Sequence, residues 1–273
     1  MKNISFLRII LVLLLLAPGG CGDSDDPSQP GGGGGGEDPG EAVKTADFSA
    51  TADFSAIPGT AIEGARALRI YYGHTSHGSQ LMTGLNMLAA DPPQYSPPSV
   101  TEVGGDLGHA GDLAWEQTTR TFLADHANDY DVVIWSWCGG CSDNTPAGID
   151  AYLQAMTGLE NDYPGLTFIY MTGHLDGSGP SGTLYANNNR IRDFCHRNDK
   201  FLFDFADIES FDPGGTYYPD ESDACGWCED WCDTHDCPPE VGCAHSHCFN
   251  CYQKGKAFWW LLARVAGWDG QSR

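Results

Sequence analysis

The sequence predicts a three-layer α/β/α sandwich around a five-stranded parallel sheet, and three observations carry that expectation. Five short runs rich in Val, Ile, Phe and Tyr stand at residues 68–72, 99–103, 132–137, 166–171 and 201–205, each of strand length. Segments of helical period alternate with them: Leu81, Leu85 and Leu88; residues 113–125; Ile149, Leu153 and Met156; Leu184, Ile191 and Phe194; and residues 256–266. Right-handed crossovers lay such helices over a parallel sheet and cover both of its faces. Glycines and titratable residues follow several of the strands, at the edge where ligands bind in folds of this class.

Ahead of the first strand, Lys2 and Arg8 introduce an unbroken apolar stretch at residues 9–17. It is shorter than the roughly 20 residues of a membrane span and fits the core of a signal peptide. Pro18, Gly19 and Gly20 then lead to Cys21, an arrangement that resembles a bacterial lipoprotein signal, in which the cysteine is lipidated. The expected organisation is a signal peptide at 1–20, a disordered linker at 21–56 beginning at lipidated Cys21, and a folded domain at 57–273. Residues 31–36 are all glycine and residues 45–56 read TADFSATADFSA, a composition with little apolar surface to offset the entropy of ordering it. The expected location is the bacterial cell envelope, with a lipid anchor in the membrane, or alternatively the secreted fraction.

Charge and cysteine usage narrow the function classes. The 37 Asp and Glu outnumber the 14 Lys and Arg, for a formal charge of −23. Such a surface repels phosphate, which excludes a nucleic-acid partner. Eleven cysteines in an exported chain imply disulfides.

The stretches after the strands carry the candidate chemistry. After the first comes GHTSHGSQ (residues 73–80), after the third CGGCSDN (138–144), after the fourth TGHLDG (172–177), and around the fifth DFADIES (204–210). Turns are made with Gly, Asn and Asp alone, so His74, His77 and His174 call for another explanation. Ser76 lies between two histidines just before a helix. There it suits a nucleophile supplied with backbone N–H donors, and equally an ordinary helix N-cap.

GHTSHG, YMTGHLDG, NNNRIRDFC, FDFADIES and the CAHS ahead of a last helix ending LLARVAGW together resemble the SGNH/GDSL-like hydrolases, in an exported bacterial branch carrying G-H-x-S-x-G. The resemblance covers nearly the whole folded domain and implies an SGNH-hydrolase or flavodoxin-like sheet. It also implies Ser76 as nucleophile, a base just before the last helix, and no cofactor. Two histidines fit the base position, His245 and His247. The family's acid three residues earlier is replaced by Gly242 or Ala244. The sequence therefore leaves a Ser-His dyad, or an acid from elsewhere such as Asp176, Asp207 or Asp223. Family oxyanion donors fall on Gly105 or Gly108, and on Asn144; His74, His77, His174 and Asp176 would contact substrate.

Seven cysteines crowd residues 225–251, a stretch without helical or strand period. This insert reads as a disulfide-stapled loop; seven is odd, so complete pairing requires a bridge to Cys138, Cys141 or Cys195. Zinc on the Cys225-x-x-Cys228 side of the insert is the weaker reading. The functional expectation is a serine esterase cleaving an acyl or acetyl group from a glycan or small ester. Its alternatives are a non-catalytic module binding carbohydrate or peptide on the same fold, and a metal-dependent hydrolase using His74 and His77.

Overall fold

Every apolar run forms a strand, and one strand more joins them. The computed structural model describes residues 44–90 and 93–271. The signal stretch, Cys21 and the glycine run lie outside the described residues. In chain order the elements are β1 (Thr45–Ala46), α1 (Phe48–Asp53), α2 (Gly59–Arg66), β2 (Arg69–His74), α3 (Ser79–Ala89), β3 (Ser99–Gly104) and α4 (Ala114–His126). They continue with β4 (Val132–Trp135), α5 (Gly140–Asp143), α6 (Pro146–Asp162), β5 (Thr167–Met171), α7 (Thr183–Arg197), β6 (Phe201–Phe203), α8 (Phe205–Ser210), α9 (Gly226–Cys232) and α10 (Cys248–Val265).

The sheet is wholly parallel with strand order β1-β6-β5-β4-β2-β3. It therefore has six strands, not the five expected. The sixth is β1, drawn from the TADFSA duplication that the composition assigned to the linker. Thr45 and Ala46 pair with Leu202 and Phe203. Asp47 then caps α1 by accepting from the Ser49 N–H at 2.9 Å. Ala46, Ala50 and Phe54 are buried, and the Phe48 ring stacks on Phe211 at 4.2 Å. Among the described residues, 45–56 are therefore part of the folded structure, where the composition had placed linker. The segment has too few apolar residues to form a core alone, but it docks on apolar surface supplied by residues far along the chain.

α10 packs on β1 and β6 and against α1, α2 and α3, while α4, α6 and α7 form the opposite layer. β4 is buried along its whole length, because both layers cover it. α3 and α10 touch backbone to backbone where Gly84 meets Gly255. A Cβ on Gly84 would overlap the Cys251 carbonyl oxygen and the Gly255 backbone.

The cysteine-rich insert is stapled locally. Cys225–Cys228, Cys232–Cys237 and Cys243–Cys251 are bridged, at separations of 3, 5 and 8 residues. The expected bridge to the sheet domain is not formed: Cys138, Cys141, Cys195 and Cys248 are free thiols. The odd cysteine, Cys248, lies buried at the start of α10 instead. Among the described residues no helix is long and apolar enough to cross a membrane.

Because the Gly84–Gly255 approach leaves no room for a methyl group, Gly84→Ala should destabilise the fold by about 1–3 kcal/mol. Urea unfolding of both proteins measures this, and an unchanged midpoint would mean that the helices separate without strain.

Candidate active site

The site forms where the chain reverses direction across the sheet. From β2 the chain moves outward to β3 and then returns past β2 to β4. Neighbouring parallel strands whose connections leave in opposite directions open a crevice at their carboxyl ends. Residues 75–78 follow β2 into that crevice, and Ser136 to Cys138 follow β4. The turn after β2 is fixed by its neighbours: the Tyr72 hydroxyl donates to Gly78 O at 2.8 Å, and Ser79 Oγ donates to Ser76 O at 2.6 Å. Gly78 is required there, since a Cβ would overlap Ser136 Oγ and the His74 side chain.

His77 is the centre of the cluster and is 6% exposed. Its Nε2–H donates to Asp223 Oδ2 at 2.9 Å, which fixes the tautomer because an ionised carboxylate only accepts. Its Nδ1 faces Cys138 Sγ at 3.2 Å, and Ser76 Oγ lies 3.5 Å from the same sulfur. The His77 ring stacks on His174, with centroids 3.6 Å apart, and on His245 at 4.4 Å. Burial pushes the His77 imidazole below its ordinary value; the Asp223 hydrogen bond opposes this, and the neighbouring His174 and His245 add to it.

The sequence candidates divide accordingly. Ser76, His77, His174 and His245 come together, and the acid that meets them is Asp223, one of the three carboxylates the sequence left open. Asp176 accepts from the Ser178 N–H at 2.9 Å. Asp207 accepts from Phe48 N at 2.9 Å, and burial together with Asp204 raises its carboxyl to about 7. His74 turns to Thr75 O and Glu102, each 2.9 Å away. His247 is the N-cap of α10, with Nδ1 accepting from Phe249 N at 3.1 Å. Among the described residues no hydrogen bond joins Ser76 Oγ to His245 or His247. Two of the implied oxyanion donors, Gly105 and Asn144, are engaged elsewhere. Gly105 N–H donates to His74 O at 3.3 Å, while the Asn144 amide donates to Gly108 O and Gly140 O at 3.0 and 2.6 Å.

Cys138 is the site residue that sequence reasoning considered only as a disulfide partner. Its signal was position: a cysteine at the carboxyl end of a buried strand, followed by two glycines. Gly140 is one that the backbone requires, since a Cβ there would press on Leu107 O at 2.9 Å.

His77, His174 and Asp223 are also the residues that could hold a metal, with ligand atoms within 4.8 Å of one another. An ion there would have to replace the His77–Asp223 hydrogen bond. His74 is not part of this group.

Two buried charges support the site from below. Lys254 and Glu209 are both 0% exposed and bond at 2.6 Å. Glu209 Oε2 accepts from Leu175 N at 2.7 Å, beside His174. Lys254 also donates to Gln80 Oε1, and the Gln80 amide donates to Ala244 O, beside His245. Burial lowers the Lys254 ammonium while Glu209 pulls it back up.

No family model matches the chain, and no curated protein matches its sequence. Among solved structures, the acetylxylan esterase Axe2 from Geobacillus stearothermophilus is 12% identical with a TM-score of 0.43, the match covering 76% of this chain and 100% of that one. The acetyl xylan esterase AlAXEase is 13% identical with a TM-score of 0.38, covering 50% of this chain and 77% of that one. Similarity at this level assigns no chemistry to the protein, and the site has to be judged on its own geometry.

Removing one partner of a buried ion pair leaves the other charge uncompensated, so Lys254→Met should cost about 3–5 kcal/mol, with part recovered in the double variant carrying Glu209→Gln. Denaturant titration of the three proteins measures this. A single-variant loss below about 1 kcal/mol would mean that water reaches Glu209.

Proposed function

We propose that the protein is an acyl-ester hydrolase of the cell envelope, a lipoprotein anchored through Cys21 that removes acyl groups, acetyl among them, from a glycan or small ester. The observation that carries this reading is His77, held by Asp223 at 2.9 Å and facing a nucleophile corner made of Ser76 and Cys138. A neutral imidazole oriented by a carboxylate takes a proton from an attacking group and returns it to the leaving alcohol.

The base in this reading is His77 rather than His245. His174 and His245 stand beside it as flanking imidazoles. The missing acid three residues before the last-helix histidine was the feature favouring a binding module, and Asp223, two residues ahead of the insert, supports catalysis in its place. Both His77 nitrogens face groups suited to proton transfer, which supports general-base chemistry over metal ligation.

His77→Ala should lower kcat/KM by about 10³-fold or more, and Asp223→Asn by about 10²–10⁴-fold, with folding checked in each. Acetate release from acetylated glycans and from a chromogenic acetate ester provides the assay. Only neutral His77 accepts a proton, so activity falls as pH drops through its pKa. Because that pKa is depressed, the acid limb should lie below 6.5. Full activity in His77→Ala, or loss of wild-type activity to a chelator, would defeat the reading.

Anchoring is tested separately by growth with radiolabelled palmitate. The label should enter the wild-type protein and be absent from Cys21→Ser; equal labelling of the two would remove the lipid anchor.

A further inference from the structure

We infer that the attacking atom is Cys138 Sγ, so that Cys138, His77 and Asp223 form a nucleophile, base and orienting acid and the acyl group passes through a thioester. This rests on the hydrolase reading and adds the identity of the nucleophile to it. The chain of contacts runs Sγ to Nδ1 at 3.2 Å and Nε2 to Oδ2 at 2.9 Å. In the tautomer fixed by Asp223, Nδ1 carries the lone pair, so the thiol is the donor to it. The Ser76 hydroxyl, 3.5 Å from Sγ, is then free to donate to the sulfur and stabilise it as it becomes anionic. No histidine accepts a hydrogen bond from Ser76 among the described residues, which leaves the thiol as the group that meets the base.

The other free cysteines differ in kind. Cys141 and Cys195 are buried, and burial pushes the Cys141 thiol up to about 12 and that of Cys195 higher still. Cys248 is buried at the start of α10, while Cys138 is half-buried, just past the carboxyl end of β4. A reactive thiol needs both a base and access, and Cys138 has both.

The step balances without a further reactant. His77 Nδ1 takes the Sγ proton as sulfur bonds to the acyl carbon. The ester C–O bond breaks, and the departing alcohol takes the proton back from His77. Water then attacks the thioester carbonyl and gives its proton to His77. The C–S bond breaks, and the thiolate recovers the proton as the carboxylic acid leaves.

The test uses the mature protein and p-nitrophenyl acetate, with rapid quench and peptide mass spectrometry. An acetyl group should appear on Cys138 and be released by neutral hydroxylamine, as a thioester is. Cys138→Ala should lose about 10³-fold or more in kcat, whereas Ser76→Ala should lose only about tenfold. Iodoacetamide should modify Cys138 ahead of the other three thiols, at least about tenfold more slowly in His77→Ala at pH 7. Cys138→Ser serves as the conservative variant and should be nearly inactive although folded. Acetyl found on Ser76, with Cys138→Ala still turning over, overturns the inference and leaves ester hydrolysis standing. No ester turnover in wild type, together with iodoacetamide labelling of Cys138 that ignores His77, overturns both.

Discussion

The site depends on one buried ion pair, Lys254 with Glu209, both at 0% exposure. Charges taken fully out of water persist only where their remaining hydrogen-bonding capacity is satisfied. Glu209 accepts from Lys254, Leu175 N and Asn250, and its own carbonyl accepts from the Trp227 indole at 2.9 Å. Lys254 reaches Gln80 on α3, which holds Ala244, and its ammonium lies 3.9 Å from the Phe205 ring centroid. Each of these bonds fixes a different segment, so α3, α8, α10, the loop after β5 and the loop before α10 are set relative to one another. Such a pair adds little net stability, yet it permits few alternative arrangements of the loops that carry His174 and His245.

Above that support, the proposed site is assembled from four separate stretches of chain. The turn after β2 contributes Ser76 and His77, the segment after β4 contributes Cys138, the loop after β5 contributes His174, and the segment leading into the insert contributes Asp223, with His245 close behind. The topological switch between β2 and β4 brings the first two together without any sequence proximity. Asp223 N–H donates to Leu175 O at 3.1 Å, and Cys225–Cys228 closes the chain two residues later. His247 N–H donates to Ala224 O at 3.2 Å, tying the same point to the head of α10. Local bridges therefore stiffen a long irregular segment at the place where it delivers a carboxylate.

The surroundings of His77 suit a proton acceptor. Burial, and to a lesser extent two stacked imidazoles, disfavour its cation, while one carboxylate orients it and only partly restores its basicity. A site that keeps the central ring neutral holds it ready as a base at neutral pH.

By itself the sequence determined the five main strands, the helices over them and the edge at which polar residues gather. Apolar runs of strand length and helical periodicity are local properties, so they survive without knowledge of partners. It also placed Ser76, His77, His174 and His245 on that edge and named Asp223 among three possible acids. Only the tertiary structure shows which of them meet. β1 is two residues long and exists because β6 offers an edge, which no periodicity reports. His247 resembles His245 in the sequence, but the helix that starts behind it uses its nitrogen as a cap. Cys138 read as a disulfide partner because parity counting cannot see which sulfurs are near one another. The local bridges left it unpaired, and the crossover from β3 to β4 put it beside His77. Which groups share a proton is a matter of distances of about 3 Å, and those distances arise from how separate strands and loops are packed.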